Sequence, residues 1–553
     1  MQPLPDRANL DHLKKQAKDL LRRYRSGDPE AMARFARNLP AAMNRNAAAV
    51  ASLQLRLHDA QSCIAREYGL SSWVDLTSYV EARSLARGDD ADRIRRWLAV
   101  VYGGDVTGSF NPARPLVAVH LLRDAPDLFA GDAYAACAAG DDATLLRTTA
   151  ADPAWVNRAG GTFNLPPLFA VTHSSLSQVP EFRERLHRSA RTLLQAGADP
   201  NQTIGSRFPP ASLAAPDDAN RFSALYGAAG VNRAPALTRL LLEAGADPND
   251  NESLYHSLEN PDCTRLLLQF GARVTGTNAL RRSLDMPEPT ALELLLAHGG
   301  DANEPAPGGP TNVWGAPLLR AIAVRRSPRH IAALLAAGAD PSVRTPGGIS
   351  AYRLALQVGL TEVADLLHTA GAAEPLDDEE QFVAACARAD IAEARRLQAQ
   401  RRDLPGSLPE AQLRLLPDTV AWGANAAARV MVDVGWPIGS RGGDWNATAL
   451  NLAVFRGDAE LTAFLLDHGA SWREGHGYGG NVLGTLSWAS VYEPAADGDW
   501  PGCARALLAH GIPSAERDPA NPERVLIDGQ PIRFSAAVTD VLLRVDEASA
   551  DAG

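Results

Sequence analysis

The chain is expected to be an all-α solenoid, in which helix pairs stack through short hairpin loops behind a separate helical module at the N-terminus. Three observations carry that expectation. The pattern Leu-Leu-x-x-Gly-Ala-Asp-Pro-Asn runs from Leu193 to Asn201 and again from Leu241 to Asn249, with looser copies at Leu295–Asn303, Leu334–Ser342 and Leu465–Trp472. The clearest full interval, Thr448 to Ala470, has the apolar spacing of two short helices. At 553 residues the chain also exceeds what one hydrophobic core usually holds. Recurrence of a short pattern marks units that bury their apolar faces against one another.

Residues 1–88 are taken as the N-terminal module. Leu10, Leu13, Ala17, Leu20 and Leu21 share one face of a helix over Asn9–Tyr24, with Lys14, Lys15, Lys18, Arg22 and Arg23 largely opposite. Asp28-Pro29 starts a second helix, with Asp as cap and Pro at the first position. A third is expected over Leu57–Tyr68, stopped by Gly69, and a fourth over Ser72–Ala86. The basic face gives residues 1–56 eleven basic and five acidic side chains, +6, whereas the whole chain is −11.

In the repeats each residue has a mechanical task. Thr448 caps the first helix, Ala453 allows close approach of helices, and Gly457 ends it. Asp458 caps the second helix, where Leu461, Phe464 and Leu465 form the apolar stripe. Gly197, Gly245, Gly338 and Gly469 fall where each second helix must stop in the left-handed conformation. Further units are read at Ser223–Asn249, Glu252–Ala272, Thr277–Asn303, Ala316–Ser342 and Ile349–Gly371, with degenerate stops at Val430–Trp436 and Leu507–Ser514. The interval Gly197 to Gly245 is 48 residues and Gly245 to Gly271 only 26, so some units carry inserted loops and others clipped ones.

This pattern resembles the ankyrin repeat, with Ala449 at the family's Pro and Asn451 at its His. Leu13-Lys-Lys-Gln-Ala-Lys18, Asp59 to Gly69 and Ser72-Trp73 resemble an N-terminal module found on many bacterial ankyrin-repeat proteins. The resemblance implies a first array over 89–375. The echo of Ala135–Asp141 in Ala384–Asp390 points to a second array over 376–520. Residues 521–553 are read as a hairpin about Asp528-Gly529, a capping helix over Ser535–Val545 and a frayed tail.

Composition bounds function. The chain contains no apolar run of about 18 residues, which argues against a membrane span. The opening Met1-Gln-Pro-Leu-Pro lacks the basic-then-apolar pattern of a leader. Five scattered cysteines without a Cys-x-x-Cys pair suggest neither disulfides nor zinc, and a cytoplasmic setting is expected. Low Lys with high Ala and Arg points to a GC-rich bacterial genome. No phosphate-binding, nucleophile-elbow or zinc-protease motif occurs, so no catalytic residue, metal or cofactor is assigned and the reading leans against an enzyme. His298, His468 and His510, each just before a stopping Gly, are expected to serve helix ends.

Six of the ten tryptophans lie between residues 422 and 500, several in loops with polar companions. Trp488 is expected to bury between units. Arg441, Asp444, Trp445, Trp472, Glu474, His476, Tyr478, Asp499 and Trp500 are the candidate binding residues, and the resemblance implies a protein partner held on a concave face and its hairpin loops. Nucleic acid is disfavoured because aromatics are sparse on the basic helix. The alternative is an enzyme or small-molecule binder whose pocket is closed by long loops at 202–221 and 474–499, with Asp444, Glu474, His476 and Asp499 as acids or bases.

Overall fold

The computed structural model describes residues 4, 8–43, 45, 47–53, 55–85, 89–129, 131–207, 217–305, 315–495, 497–519, 521 and 524–543. The chain divides into two compact units, Met1–Gly300 and Asp301–Gly553. Both are largely helical and solenoid-like.

The first unit opens with the expected helices Leu10–Arg25, Pro29–Asn38, Leu57–Glu67 and Trp73–Leu85, plus a short one at Ala47–Ala51 that the sequence did not signal. Asn9 and Asp28 cap the first two through side-chain oxygens. Leu13, Ala17, Leu20 and Leu21 bury as the periodicity requires, against Phe35, Ile64 and Leu76. Much of the basic face is neutralised locally. Arg22 pairs with Asp19, Arg23 with Asp28 and Glu30, and Lys14 with Asp11. Ala86 lies outside the described residues.

Helix pairs follow, among them Ala133–Ala139 with Asp142–Ala151, Pro167–Thr172 with Pro180–Gln195, and Ser253–Ser257 with Pro261–Gln269. The first helix of the Ser223–Asn249 unit begins at Ala224–Tyr226 and continues as a π-helical turn over Gly227–Val231. Glycine is required there: a Cβ on Gly227 would lie 2.3 Å from the buried His173 ring.

The 202–221 insert is not simply a loop. Thr203–Ser206 and Asp217–Ser223 pair as an antiparallel ribbon, and residues 208–216 lie outside the described set. The ribbon is rooted by Gln202, whose amide accepts from Leu168 N and donates to Val156 O at 3.0 and 2.7 Å. Arg207 donates to Phe163 O at 2.6 Å.

The second unit stacks Pro317–Ala323 with Pro328–Ala336, Ala351–Gln357 with Thr361–Thr369, and Asp378–Ala387 with Ile391–Gln400. Leu415–Ala421 with Asn425–Asp433, Ala449–Phe455 with Ala459–Asp467, and Val482–Tyr492 with Trp500–Ala509 complete the pairs. The expected hairpin at Val525–Ile527 and Gln530–Ile532 is present with Asp528 and Gly529 at positive φ, and Ala515–Arg517 adds a third strand. The closing helix is Ala536–Leu543; Val545 and the tail lie outside the described residues. Gly308-Gly309 also fall outside them.

The recurring motif is a helix stop with a staple attached. Gly197 N donates to Leu194 O and Ala198 N to Leu193 O at 3.1 and 2.9 Å, a Schellman ending. The same bond closes Ala246 to Leu241, Ala339 to Leu334 and Ala470 to Leu465, and survives at Ile512 to Leu507. The Asn at the motif's end bridges outward. Asn201 Nδ2 donates to Gly245 O at 3.2 Å while its Oδ1 accepts from Asp247 N at 2.8 Å. Asn157 and Asn249 repeat this in the first unit, and Asn303 in the second. His298, His468 and His510 each place Nδ1 2.7–2.8 Å from a carbonyl four residues back, as expected of helix-end residues.

Candidate functional site

The second unit contains an aromatic cleft of about 520 Å³, lined by Trp445, Phe455, His476, Tyr478, Thr485 and Trp488. Two successive repeats build it. Trp445 sits in the turn between the short strands Arg441–Gly442 and Ala447–Thr448, and His476 and Tyr478 sit in the next hairpin, closed by the Gly475–Asn481 bridge. Phe455 ends one first helix and Trp488 projects from the next, Val482–Tyr492. Hairpin tips and first helices therefore meet on one face.

The rings form a track. From Tyr478 through His476, Trp445, Phe455 and Trp488 to Tyr492, successive centroids are 6.2, 5.0, 5.5, 5.6 and 4.8 Å apart. Tyr478, Trp488 and Tyr492 are 82%, 49% and 66% exposed. Large apolar rings left in water side by side are unusual on a monomer's surface.

Backbone and buried polar groups hold the track in place. Gly477 N donates to Trp445 O at 2.8 Å, joining the two hairpin tips. Beneath them Asn451 is fully buried; its Nδ2 donates to Thr448 Oγ1 and to Glu474 O at 3.1 and 3.2 Å, and its Oδ1 accepts from Thr485 at 2.8 Å. One amide thus ties both hairpins to both first helices. Asp418 Oδ1 accepts from Gly443 N at 2.8 Å and braces the first hairpin from behind; burial pushes its pKa up. His476 is pushed the other way, below the ordinary histidine range, by burial and then by the nearby Arg441 guanidinium.

The nine candidate residues are thereby sorted. Trp445, His476 and Tyr478 line the cleft, with Arg441 beside it and Asp444 exposed in the same turn as Trp445. Trp472 and Trp500 turn inward, 8% and 5% exposed, and are core rings with no face to offer a partner. Glu474 accepts from Ser471 N at 2.9 Å and Asp499 caps Trp500–Ala509 through Gly502 N at 2.7 Å, so both carboxylates serve local backbone. Trp488 reverses its expectation: it is half exposed because Val482–Tyr492 turns it toward Phe455 and solvent. The 474–499 stretch is likewise no long loop; eleven of its residues are helix. Asp444, Glu474, His476 and Asp499 form no acid–base cluster bonded to one another among the described residues.

Three comparisons frame these observations. No family model matches the chain, and no curated protein matches it. Among solved structures, the human ASB11 ankyrin repeat domain covers 45% of this chain and all of its own, at 19% identity and a TM-score of 0.31. The ankyrin repeat domain of Bcl-3, a member of the IkappaB family, covers 37% of this chain and 87% of its own, at 23% identity and a TM-score of 0.29. An ankyrin repeat domain from Acinetobacter baumannii AYE covers 43% and 97%, at 22% identity and a TM-score of 0.25. Parts of the chain are thus similar to ankyrin-repeat domains of human and bacterial origin.

Phe455, Trp488, Tyr492 and Thr485 were missed from the sequence. The signal for Phe455 was present, since it closes the Ala449–Phe455 helix one residue after the buried run ends at Val454 and two before the stopping Gly457. For Trp488 and Tyr492 the i, i+4 spacing was the signal, hidden by the Gly-rich flanks that made this segment read as loop. Among the described residues, no three His, Cys, Asp or Glu side chains are placed to hold a metal ion, and no helix is long and apolar enough to cross a membrane.

Proposed function

We propose that the chain is an ankyrin-repeat protein that docks a protein partner on the face formed by hairpin tips and first helices, centred on the aromatic cleft of the second unit. One observation carries this reading. Six rings from two successive repeats form a continuous, partly exposed track on a scaffold whose buried amide, Asn451, fixes their spacing. Aromatic side chains in well-packed pockets are what anchor interfaces. The domain reading stays at 1–88, 89–375, 376–520 and 521–553; the apolar cluster that begins at Phe382 supports the start of the third part, and its continuation to Leu542 packs the fourth onto it. A cytoplasmic setting belongs to the same proposal, supported by five buried, unpaired cysteines, and so does a bacterial source, supported by the low Lys and high Ala and Arg content.

The test is a selection of random twelve-residue displayed peptides on the full chain, counter-selected against a Trp488→Ala/Tyr492→Ala variant. Peptides that need the cleft are expected, binding the variant at least tenfold more weakly while its melting temperature falls by no more than about 4 °C. If no enriched peptide depends on these rings, the docking reading fails. The cleft volume also suits a small apolar ligand; solvent-sized aromatic probes that bind while no peptide does would favour that second reading.

A further inference from the structure

The cleft is rich in aromatic faces and in N–H donors and has no carboxylate in its lining. His476 Nδ1 accepts the Tyr478 backbone N–H at 3.3 Å, which leaves the proton of the neutral ring on Nε2. The indole N–H groups of Trp445 and Trp488 and the phenols of Tyr478 and Tyr492 have no hydrogen-bond partner among the described residues. Thr485, the remaining polar lining residue, has already spent its hydroxyl proton on Asn451. The cleft therefore offers indole and imidazole N–H groups that only donate, beside phenol and threonine oxygens that can also accept, and no carboxylate is among its lining residues; Asp418 and Glu474 each accept a backbone N–H outside it. At its edge Arg441 lies against the second hairpin, with a guanidinium nitrogen 3.7 Å from where a Cβ on Gly475 would stand, and forms no ion pair among the described residues.

The complement of such a surface is a ligand rich in acceptors, poor in donors, apolar and elongated, with a negative charge at one end. Polyproline II meets each requirement. Proline has no N–H, its carbonyls have no internal partner in this helix, and its ring packs flat against aromatic faces. The chain is already extended, so little conformational entropy is lost on docking. A compact cation, the other ligand that aromatic faces attract, would occupy only part of a six-ring track and would be repelled by Arg441. We infer that the aromatic cleft of residues 445–492 binds a proline-rich segment of a partner protein in the polyproline II conformation, with an acidic residue at the end that meets Arg441. This inference rests on the docking reading above.

Two readouts separate its failure from that of docking itself. In the peptide selection, cleft-dependent sequences are expected to be enriched in prolines spaced to share one polyproline II face, with Asp or Glu at one end. Fluorescence anisotropy of the full chain then uses a labelled peptide of eight prolines followed by two aspartates, against a Gly/Ser chain of equal length ending the same way. The proline peptide is expected to bind at least tenfold more tightly. Trp488→Ala/Tyr492→Ala should abolish that advantage, and Arg441→Gln should remove most of the gain from the aspartates while octaproline binding persists. Melting temperatures of all variants should lie within about 4 °C of the parent. Cleft-dependent peptides without proline, or equal binding of the Gly/Ser chain, would overturn the polyproline assignment and leave docking intact; an absence of any cleft-dependent peptide would remove both.

Discussion

Trp472 and Trp488 lie sixteen residues apart in the same Trp-rich stretch and meet opposite environments, one in the core and one half in water. Replacing Trp472 with Ala is expected to cost about 3–5 kcal/mol, the usual range for deleting a buried indole. Trp488→Ala should cost about 1 kcal/mol or less, for a half-exposed ring stacked on Phe455 and tilted against Tyr492. Chemical denaturation of the two variants checks the contrast. The sequence could not tell them apart: Trp488 lies on a helix whose apolar residues fall on nearly every side, and Trp472 follows a helix stop where no periodicity assigns a face. A second prediction concerns His173, stacked on Phe169 with ring centroids 3.7 Å apart and fully buried, its pKa pushed down to about 3 by desolvation. The unfolded chain takes up this proton near pH 6.5 and the folded one does not. Stability is therefore complete above pH 6.5 and falls as pH drops toward 3, by about 1.4 kcal/mol per pH unit, or about 2 kcal/mol at pH 5. Denaturation midpoints from pH 7 to 4 should show this slope, and His173→Phe should flatten it.

Among the helix pairs, the stops were the most legible feature and the inserted segments the least. Every motif glycine adopts positive φ as the pattern requires, because Leu, Gly and Ala at fixed offsets specify the ending without help from tertiary context. Glycines that read alike nevertheless differ in surroundings. Gly469 has open space where a Cβ would go, whereas a Cβ on Gly457 would stand 2.5 Å from the Gly498 backbone. Gly469→Ala is expected to cost about 1–2 kcal/mol for the left-handed conformation alone. Gly457→Ala should cost distinctly more, since Asp499 N also donates to Gly457 O at 2.8 Å and the two segments cannot separate freely. Thermal melts of both variants test the ranking. The helix Val482–Tyr492 escaped notice because Gly477–Gly480 and Asp497-Gly498 bracket it and its apolar residues lie on nearly every side. The cleft was half legible for the same reason: its hairpin rings stood out in the sequence, and its helical rings did not.

The whole chain comprises two compact units with their own apolar interiors. Repeat arrays of this length do not melt as one cooperative block. Calorimetry is expected to give a calorimetric enthalpy well above the van't Hoff value, with Trp472→Ala shifting only the transition of residues 301–553. A single two-state transition moved whole by that substitution would contradict the division. Total fold class was readable from the repeat, while the count of residues between repeats was not a guide to what they form: 48 residues enclose a β ribbon and 26 a pair of short helices. The asparagine bridges show why such unequal intervals are tolerated. Asn157, Asn201 and Asn249 grip the following glycine carbonyl at 2.9, 3.2 and 3.3 Å across 40, 44 and 22 residues of intervening chain. Each clasp joins its two ends across whatever lies between them, so segments of unequal length and structure share one mode of fastening, and these intervals are the places to graft new recognition loops.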